Sequence, residues 1–465
     1  MINVPTLRPY QVQSIEELRE AFRQGHRRMI LVIPTGGGKT TVAAEMIRKA
    51  TENGNHILFL AHRKELVEQA KNRLHTFGIK PGVIMAGWTQ KARPVMVASQ
   101  QTLIRRALPK ADVIIIDECH HSPSNGFLKI INDEQYRLSF IIGLTATPFR
   151  LDGKGLGSVG YTQIVAPITI TQLVDEGHLV PARYYGPKRD MSDVHVTGGD
   201  FNAKELFSKF DKTVIYDGVI QHYNKFAPGS KAIVFNVNVE HSVKMARLFN
   251  EQGISCAHVD GETPALERAQ ILSDFREGKY QVLCNVNILT EGFDLPAIET
   301  VILNRATKSK ALYLQMVGRG LRPALGKSCC TVIDQGGNVY MHGPVDLEEE
   351  YSLEDKPKKG GGAPPMKECP NCFLLQHTGA QVCKECNYVF SIAIHERELP
   401  QEEFEDITNF LPKPVKANKV PVPEHLRKPW SDMTDEELKE FARMKGFKPG
   451  WVWVQIQNRQ KGVAA

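Results

Sequence analysis

Three groups of residues in this chain have the types and spacing to do chemistry. In Pro34-Thr-Gly-Gly-Gly-Lys-Thr40, the glycines come directly after the apolar run Ile30 to Ile33. Gly36, Gly37 and Gly38 lack the Cβ atoms that would hold main-chain N–H groups away from a phosphate, and the helix-like stretch Val42 to Lys49 adds donors and a favourable dipole. Pro34 and Thr35 open the loop, Lys39 can reach the β- and γ-phosphates of a nucleoside triphosphate, and the Thr40 hydroxyl can ligate Mg²⁺. Ile33 stands where the strict G-x-x-x-x-G-K-[ST] pattern has its first glycine. The second group, Asp117-Glu118, ends the apolar run Val113 to Ile116. Its carboxylates divide the work: Asp117 holds Mg²⁺, and Glu118 orients and deprotonates an attacking water. His120 is placed to relay contact to a second domain, and Cys119 reads as a small buried filler. The third group, Cys369-Pro-Asn-Cys372 and Cys383-Lys-Glu-Cys386, supplies four thiolates for a tetrahedral Zn²⁺ across a gap of ten residues, which a compact hairpin can close.

A further set lies far from the phosphate loop. Leu289-Thr-Glu-Gly-Phe-Asp294 and Gln315-Met-Val-Gly-Arg-Gly-Leu-Arg322 bring a carboxylate and two arginines. An arginine entering a cleft stabilises charge on a transferring phosphoryl group and is worth roughly 10³ to 10⁵ in rate. Gly318 and Gly320 argue against a plain exposed helix, which gains nothing from glycine.

These residues need a scaffold, and the pattern supplies one. Ile57 to Leu60 leads into His62 to Leu74, Val95 to Ala98 into Gln100 to Ala107, and Val113 to Ile116 into the acidic pair; Phe140 to Ile142 precedes Gly143-Leu-Thr-Ala-Thr-Pro148. Before the loop, Gln13 to Phe22 reads as an amphipathic helix with Ile15, Leu18 and Phe22 on its apolar face. Strand and helix alternating in this way imply a parallel sheet covered by helices, with ligands beyond the strands' C-terminal ends. Asp152 to Gly160 reads as a mobile loop closing this domain. A second alternating block begins near Val180: Ala232 to Phe235, Val239 to Gln252, Ser255 to Val259, Pro264 to Arg276 and Gln281 to Cys284. Only the first block carries a phosphate loop, so the second must contribute across a cleft.

The chain has 465 residues, 42% hydrophobic and 24% charged, with a formal net charge of +6, which permits a polyanionic partner without demanding one. It shows neither a basic-then-apolar leader nor an apolar run able to span a bilayer, so no membrane partner and a cytoplasmic location are expected. Of nine cysteines, four sit at metal-ligand spacing and five are scattered, which argues against a disulfide framework.

Taken together, Leu7 to Gln11, Pro34 to Thr40, Ala61-His-Arg-Lys-Glu-Leu66, Asp117 to His120, Thr145 to Pro148, Thr290 to Asp294 and Gln315 to Arg322 resemble, in order, the motifs of superfamily 2 helicases. The likeness covers about the first 345 residues and, within the superfamily, is greatest to RadD-type repair ATPases and the XPB-like group. It implies an α/β fold of two tandem RecA-like domains with parallel sheets, and an ATP- and Mg²⁺-dependent motor on DNA, single- or double-stranded, with RNA less favoured. By the same resemblance, Gln11 reads the adenine edge with Arg8 beside it, while Gly292 and Asp294 complete the nucleotide site and Asp294 approaches the ribose. Arg319 and Arg322 face the γ-phosphate, Gln315 joins them as a catalytic residue, and Thr145 and Thr147 couple hydrolysis to grip on the strand. Arg63, Gln100, Gln101, Thr102, Asn236 and Asn238 touch nucleic acid. Glu291 stands where many relatives carry arginine.

The boundaries follow: 1–178 and 179–345 for the RecA-like domains, 346–366 for a flexible linker, 367–392 for a zinc ribbon, 393–425 for a linker stiffened by Pro412, Pro414, Pro421 and Pro423, and 426–465 for a helical tail. The ribbon has few basic residues, which favours a structural staple or protein contact over phosphate binding. In the tail, Thr434-Asp-Glu-Glu437 is a capping box; Leu438, Phe441 and Met444 share a face and Gly446 suits the helix end. Trp451 and Trp453 either pack this hairpin, dock it on the motor as a protein contact, or stack on bases. Three activities fit the whole: a helicase or translocase in DNA repair, recombination or replication; an ATP-gated recruitment factor; and an RNA helicase or restriction-system motor.

Overall fold

The structure is a computed structural model and describes residues 4–88, 91–148, 155–290, 293–348, 350–355, 364–390, 423–445, 447 and 450–460. Glu291, Gly292, Gly446, the first part of the 152–160 loop and most of the two linkers, including Pro412, Pro414 and Pro421, lie outside the described residues. The first lobe contains α1 (Pro9–Arg23), β1 (Arg28–Val32), α2 (Lys39–Glu52), β2 (Ile57–Ala61), α3 (Lys64–Thr76), β3 (Gly82–Ile84), β4 (Val95–Ser99), α4 (Gln100–Leu103), β5 (Val113–Asp117), α5 (Asn125–Ile131), β6 (Phe140–Thr145), β7 (Gln163–Val165) and α6 (Ile170–Asp175). The second contains β8 (Ala182–Tyr185), β9 (Val196–Thr197), β10 (Asp200–Phe201), α7 (Ala203–Phe210), α8 (Thr213–Phe226), β11 (Ala232–Asn236), α9 (Val239–Glu251), β12 (Cys256–Val259), α10 (Ala265–Glu277), β13 (Val282–Asn285), β14 (Thr300–Asn304), α11 (Lys310–Val317), β15 (Cys330–Asp334) and α12 (Asn338–His342). Strands β16 (Met366–Glu368) and β17 (Leu375–His377) form the cysteine-bearing hairpin, and α13 (Asp435–Lys445) and α14 (Gly450–Gln460) the tail.

The seven-stranded first sheet runs β3-β4-β2-β5-β6-β1-β7 and the six-stranded second sheet β12-β13-β11-β14-β15-β8, all in parallel pairs. Strands buried on both faces read as unbroken apolar runs, as Ile57–Ala61 does and as Val95–Ser99 does up to its final serine. Each buried Val, Leu or Ile contributes roughly 1.5–3 kcal/mol relative to exposure. Because β2, β5, β6 and β1 are adjacent and parallel, the segments after them leave the same edge side by side. Val32 pairs with Thr145, and Asp117 with Leu144. This register gathers the phosphate loop, the acidic pair and the Thr145–Thr147 turn.

The lobes share one apolar seam: Tyr10, Leu173 and Leu179 pack in the same buried cluster as Val317 and Leu321. Three local expectations change. Helix α4 is a single turn and stops well short of Ala107, because only Leu103 offers an apolar anchor while Ile104 is exposed. Phe22 is 47% exposed, although its edge meets the Phe140 ring at 4.3 Å. The stretch from Asp346 to Asp355, read as the start of a free linker, lies along the first lobe. Thr171 Oγ1 donates to Asp346 O, Gly157 N to Leu353 O at 2.9 Å, and Gly155 N to Asp355 Oδ1 at 2.8 Å, with Tyr351 and Leu353 against the first-lobe core.

The tail is a separate compact unit. Thr434 and Glu437 make reciprocal capping bonds at α13, and Trp430, Phe441, Phe447 and Trp451 form an aromatic cluster. Trp451 therefore packs the hairpin, whereas Trp453 is 65% exposed. Among the described residues, no helix is long and apolar enough to cross a membrane.

Candidate active site

Gly38 caps α2 with φ +86°, a left-handed conformation, and a Cβ there would come within 2.5 Å of Gln11 Nε2. The loop is therefore clamped from α1 as well as from its own strand. Tyr10 Oη donates to Gly37 O at 2.7 Å and Gln11 Nε2 to the same carbonyl at 3.1 Å, while Gln11 Oε1 accepts from Arg8 N and Arg8 Nη1 reaches Tyr10 Oη. Gln11 thus spends both ends of its amide on the loop and its own helix start. Tyr10, which sequence reasoning passed over, bonds the loop as directly as Gln11 does. Its signal was its place beside Gln11 on the buried face of α1.

A cavity of about 500 Å³ opens in front of the loop, lined by Gly36, Lys39, Thr40, Asp117 and Glu118 from the first lobe and by Asp294, Arg319 and Arg322 from the second. Pro34 and Thr35 line it too, as do Gln69 and Arg73 of α3, which no motif marked. Lys39 Nζ donates to Glu118 Oε1 at 3.1 Å, and both side chains are nearly buried. Glu118 has φ +50°, a backbone state that costs a non-glycine residue of order 1–3 kcal/mol and is retained where it aims a side chain. Asp117 Oδ1 accepts from Glu118 N at 3.1 Å. A triphosphate and Mg²⁺ fit this donor set: main-chain N–H groups at the start of α2, one lysine, one hydroxyl, one carboxylate. The Cys119 thiol is fully buried, and burial holds its pKa well above the usual thiol value, as a packing residue requires.

The residues expected to couple hydrolysis to strand grip form a continuous chain of contacts. His120 Nδ1 lies 3.4 Å from Glu118 Oε2 and 3.1 Å from Thr145 Oγ1, and the Thr145 hydroxyl donates to Thr147 O at 2.8 Å while accepting from Thr147 N at 3.0 Å. With the hydroxyl proton committed to Thr147, His120 Nδ1 is the donor to Thr145.

The two arginines follow α11 in a turn rather than standing on the helix. Arg319 Nη1 donates to Phe293 O at 2.7 Å, and Arg322 pairs with Asp294 and also reaches Phe293 O. Together they pin the Phe293–Asp294 segment at the cavity wall. Gln315 is not among the described residues lining the cavity; it is buried in α11 and gives its main-chain carbonyl to Arg319 Nε. Gly318 touches the opposite lobe: a Cβ there would sit 2.8 Å from Thr35.

The nucleic-acid candidates divide. Arg63 reaches across the lobes to Asn287 O at 3.3 Å, Gln101 is exposed and Thr102 is half-buried. Gln100 is buried, its amide filling the space that a Cβ on Gly126 would need. Asn236 is fully buried and cannot touch a strand: its amide bonds Ser242 Oγ at 3.2 Å and accepts from Asn304 Nδ2 at 3.0 Å. Asn238 caps α9 by accepting from His241 N, at a half-buried position. The buried His241 ring beside it has its pKa lowered to about 4 because burial disfavours the imidazolium.

The four cysteines converge. Cys369 and Cys386 have Sγ atoms 3.7 Å apart, Cys372 and Cys383 3.6 Å apart, and all four lie within 4.8 Å of one another. Four Zn–S bonds of about 2.3 Å in a tetrahedron put sulfurs about 3.8 Å apart, so these residues fit a zinc ion. The hairpin is seated on the second lobe, where Phe373 meets the Phe226 ring at 6.2 Å, Lys225 Nζ lies 3.5 Å over Phe373, and Arg183 pairs with Glu385 at 2.8 Å.

Fold and site define a two-lobed phosphate-loop ATPase. Comparison with known proteins narrows this. Residues 5–150 match the family model described as type III restriction enzyme, res subunit, and residues 214–324 match the helicase conserved C-terminal domain. A 51.5 kDa protein of a Lactococcus phage is 35% identical over 364 residues, spanning 77% of each chain. The ATP-dependent helicase IRC3 of Saccharomyces cerevisiae is 34% identical over 71% of this chain, which spans 52% of that protein. Among solved structures, a fragment of an HsdR subunit of a type I restriction enzyme from Vibrio vulnificus YJ016 has a TM-score of 0.55 at 26% identity, covering 70% of this chain and 64% of that one. The chain belongs to the superfamily 2 helicases and is an ATP-hydrolysing enzyme of that class.

Proposed function

We propose that the protein is a DNA motor that closes its lobes on ATP·Mg²⁺, hydrolyses it, and converts closure into movement along or separation of DNA strands in repair, recombination or replication. The observation carrying this reading is a single cavity walled by Lys39, Thr40, Asp117 and Glu118 on one side and Arg319 and Arg322 on the other. Lys39 and Glu118 neutralise each other across it. A γ-phosphate that draws Lys39 away frees Glu118 to take a proton from water, so the base is released where the substrate arrives. Arg319 and Arg322 then meet the charge of the transferring phosphoryl group. On the strand side, Arg63 and Asn287 face each other from the two lobes, and Gln101 and Thr102 belong to the same rim. Zn²⁺ held by Cys369, Cys372, Cys383 and Cys386 staples the two knuckles of the ribbon to each other.

The restriction-type family model and the HsdR neighbour favour a second reading in which the motor moves along duplex without separating it. ATP turnover against single-stranded, duplex and forked DNA and RNA, at several salt concentrations because phosphate contacts carry much of the affinity, tests both alongside strand displacement. Stimulated turnover with displacement supports a helicase. Stimulated turnover without it supports the translocase or an ATP-gated recruitment factor, and turnover indifferent to every polynucleotide refutes the motor.

A further inference from the structure

Strands β2 and β5 are neighbours, with Leu60 paired to Ile116. The segments just beyond their ends, His62 on one and His120–His121 on the other, therefore leave the sheet together. Their imidazoles form an unbroken run: His62 and His121 have ring centroids 4.4 Å apart at 54°, and His121 and His120 4.2 Å apart at 45°. One end of the run is the His120 contact with Glu118 and Thr145. At the other end His62 precedes Arg63, whose guanidinium crosses to Asn287 O of the second lobe. Asn287 is itself held in a left-handed turn, at φ +56°, and its Oδ1 accepts from Arg305 at 2.7 Å.

We propose that His62 and His121 are positioning residues that carry the state of the Arg63–Asn287 contact to His120 and thence to Glu118. The inference rests on the motor reading above and names the part that links strand binding to water activation. The geometry gives the reason. Rings at these separations are in contact, so a shift of His62 when Arg63 exchanges Asn287 for a phosphate must displace His121. His121 N donates to Glu118 O at 3.0 Å, closing the turn that begins at the strained Glu118. Displacing His121 therefore acts on both the side chain and the backbone of that carboxylate. A ring with few rotamers transmits such a shift, whereas a flexible aliphatic chain absorbs it.

The test uses the full chain in steady-state ATPase assays with and without saturating DNA, comparing His121→Ala, His121→Phe, His62→Ala and His62→Phe with wild type. Both alanine variants are expected to lose about tenfold or more of the DNA-stimulated kcat while KM for ATP stays within about twofold, because a misplaced base slows the chemical step without altering nucleotide binding. Phenylalanine keeps a planar ring in the run and is expected to restore most of the stimulation. Wild-type stimulation in the alanine variants, phenylalanine variants as poor as alanine, or a loss confined to KM overturns the proposal. Should His121→Ala fail to fold, His62→Ala, whose side chain lies outside the Cys119–His121 turn, decides the matter by the same criteria. A wild-type enzyme that no polynucleotide stimulates refutes the motor reading and this inference with it; a stimulated wild type with unaffected histidine variants refutes this inference alone.

Discussion

Gly318→Ala perturbs the approach of the arginine-bearing turn to the phosphate loop. Gly318 has φ −57° and ψ −16°, dihedrals open to alanine, although the added Cβ would also come within 2.9 Å of Leu314 O. The added methyl, however, lies 2.8 Å from both Cβ and Cγ2 of Thr35 in the phosphate loop. Ordinary carbon contacts are about 3.5–4.0 Å, so the lobes must part locally by about 1 Å. Arg319 is the next residue and lines the shared cavity, so it retreats from the phosphoryl group by a similar distance. A displacement of about 1 Å of a transition-state group costs on the order of 10²-fold in kcat, or about 2.7 kcal/mol. Binding of a fluorescent ATP analogue should change far less, because Lys39 and the loop amides stay in place. The assay is kcat at saturating ATP and DNA beside analogue affinity, with circular dichroism confirming the fold. Turnover within about threefold of wild type would show that the Gly318–Thr35 approach does not set the position of the arginines.

Other outcomes follow from the same geometry. One zinc ion per chain is expected by metal analysis, lost in Cys372→Ser; the variant should also loosen the Phe226–Phe373 and Lys225–Phe373 contacts that seat the ribbon, read as increased proteolysis near it. His241 is held neutral in the fold with a pKa of about 4, against about 6.5 when unfolded. The unfolded chain therefore binds the extra proton first: stability is full above pH 6.5, declines as pH falls, and levels off below pH 4, a loss of about 3 kcal/mol. Urea midpoints across that window should slope in wild type and flatten in His241→Gln; parallel slopes would assign the pH dependence to other groups.

What the sequence made legible is local chemistry on regular elements. The phosphate loop, the acidic pair and the cysteine knuckles each lie within a few residues at a strand end or hairpin, where spacing dictates geometry. What it hid depends on pairings distant in the chain. Asn236 reads as a surface residue of a motif, but it ends the buried strand β11, and its amide is taken up by Asn304 of the paired strand β14. Only the register of the second sheet shows this. Tyr10 bonds Gly37 from 27 residues away, and Leu353 packs near Gly155 and Gly157 after the chain has passed through the whole second lobe. An acidic segment followed by lysine, glycine and proline gives no hint of that return. Gln315, marked by its place in a motif, is buried in α11, and its main-chain carbonyl accepts from Arg319 Nε, a supporting contact that spacing alone does not show.

The account rests on one nucleotide site shared by two lobes, and Arg319→Ala tests it most directly. Steady-state turnover at saturating ATP and DNA should fall by roughly 10³-fold or more while the ATP analogue binds within a few-fold of wild type, since the lost interaction belongs to the transition state. Turnover within about tenfold of wild type would contradict the account, because the second lobe would then add nothing essential to the chemistry.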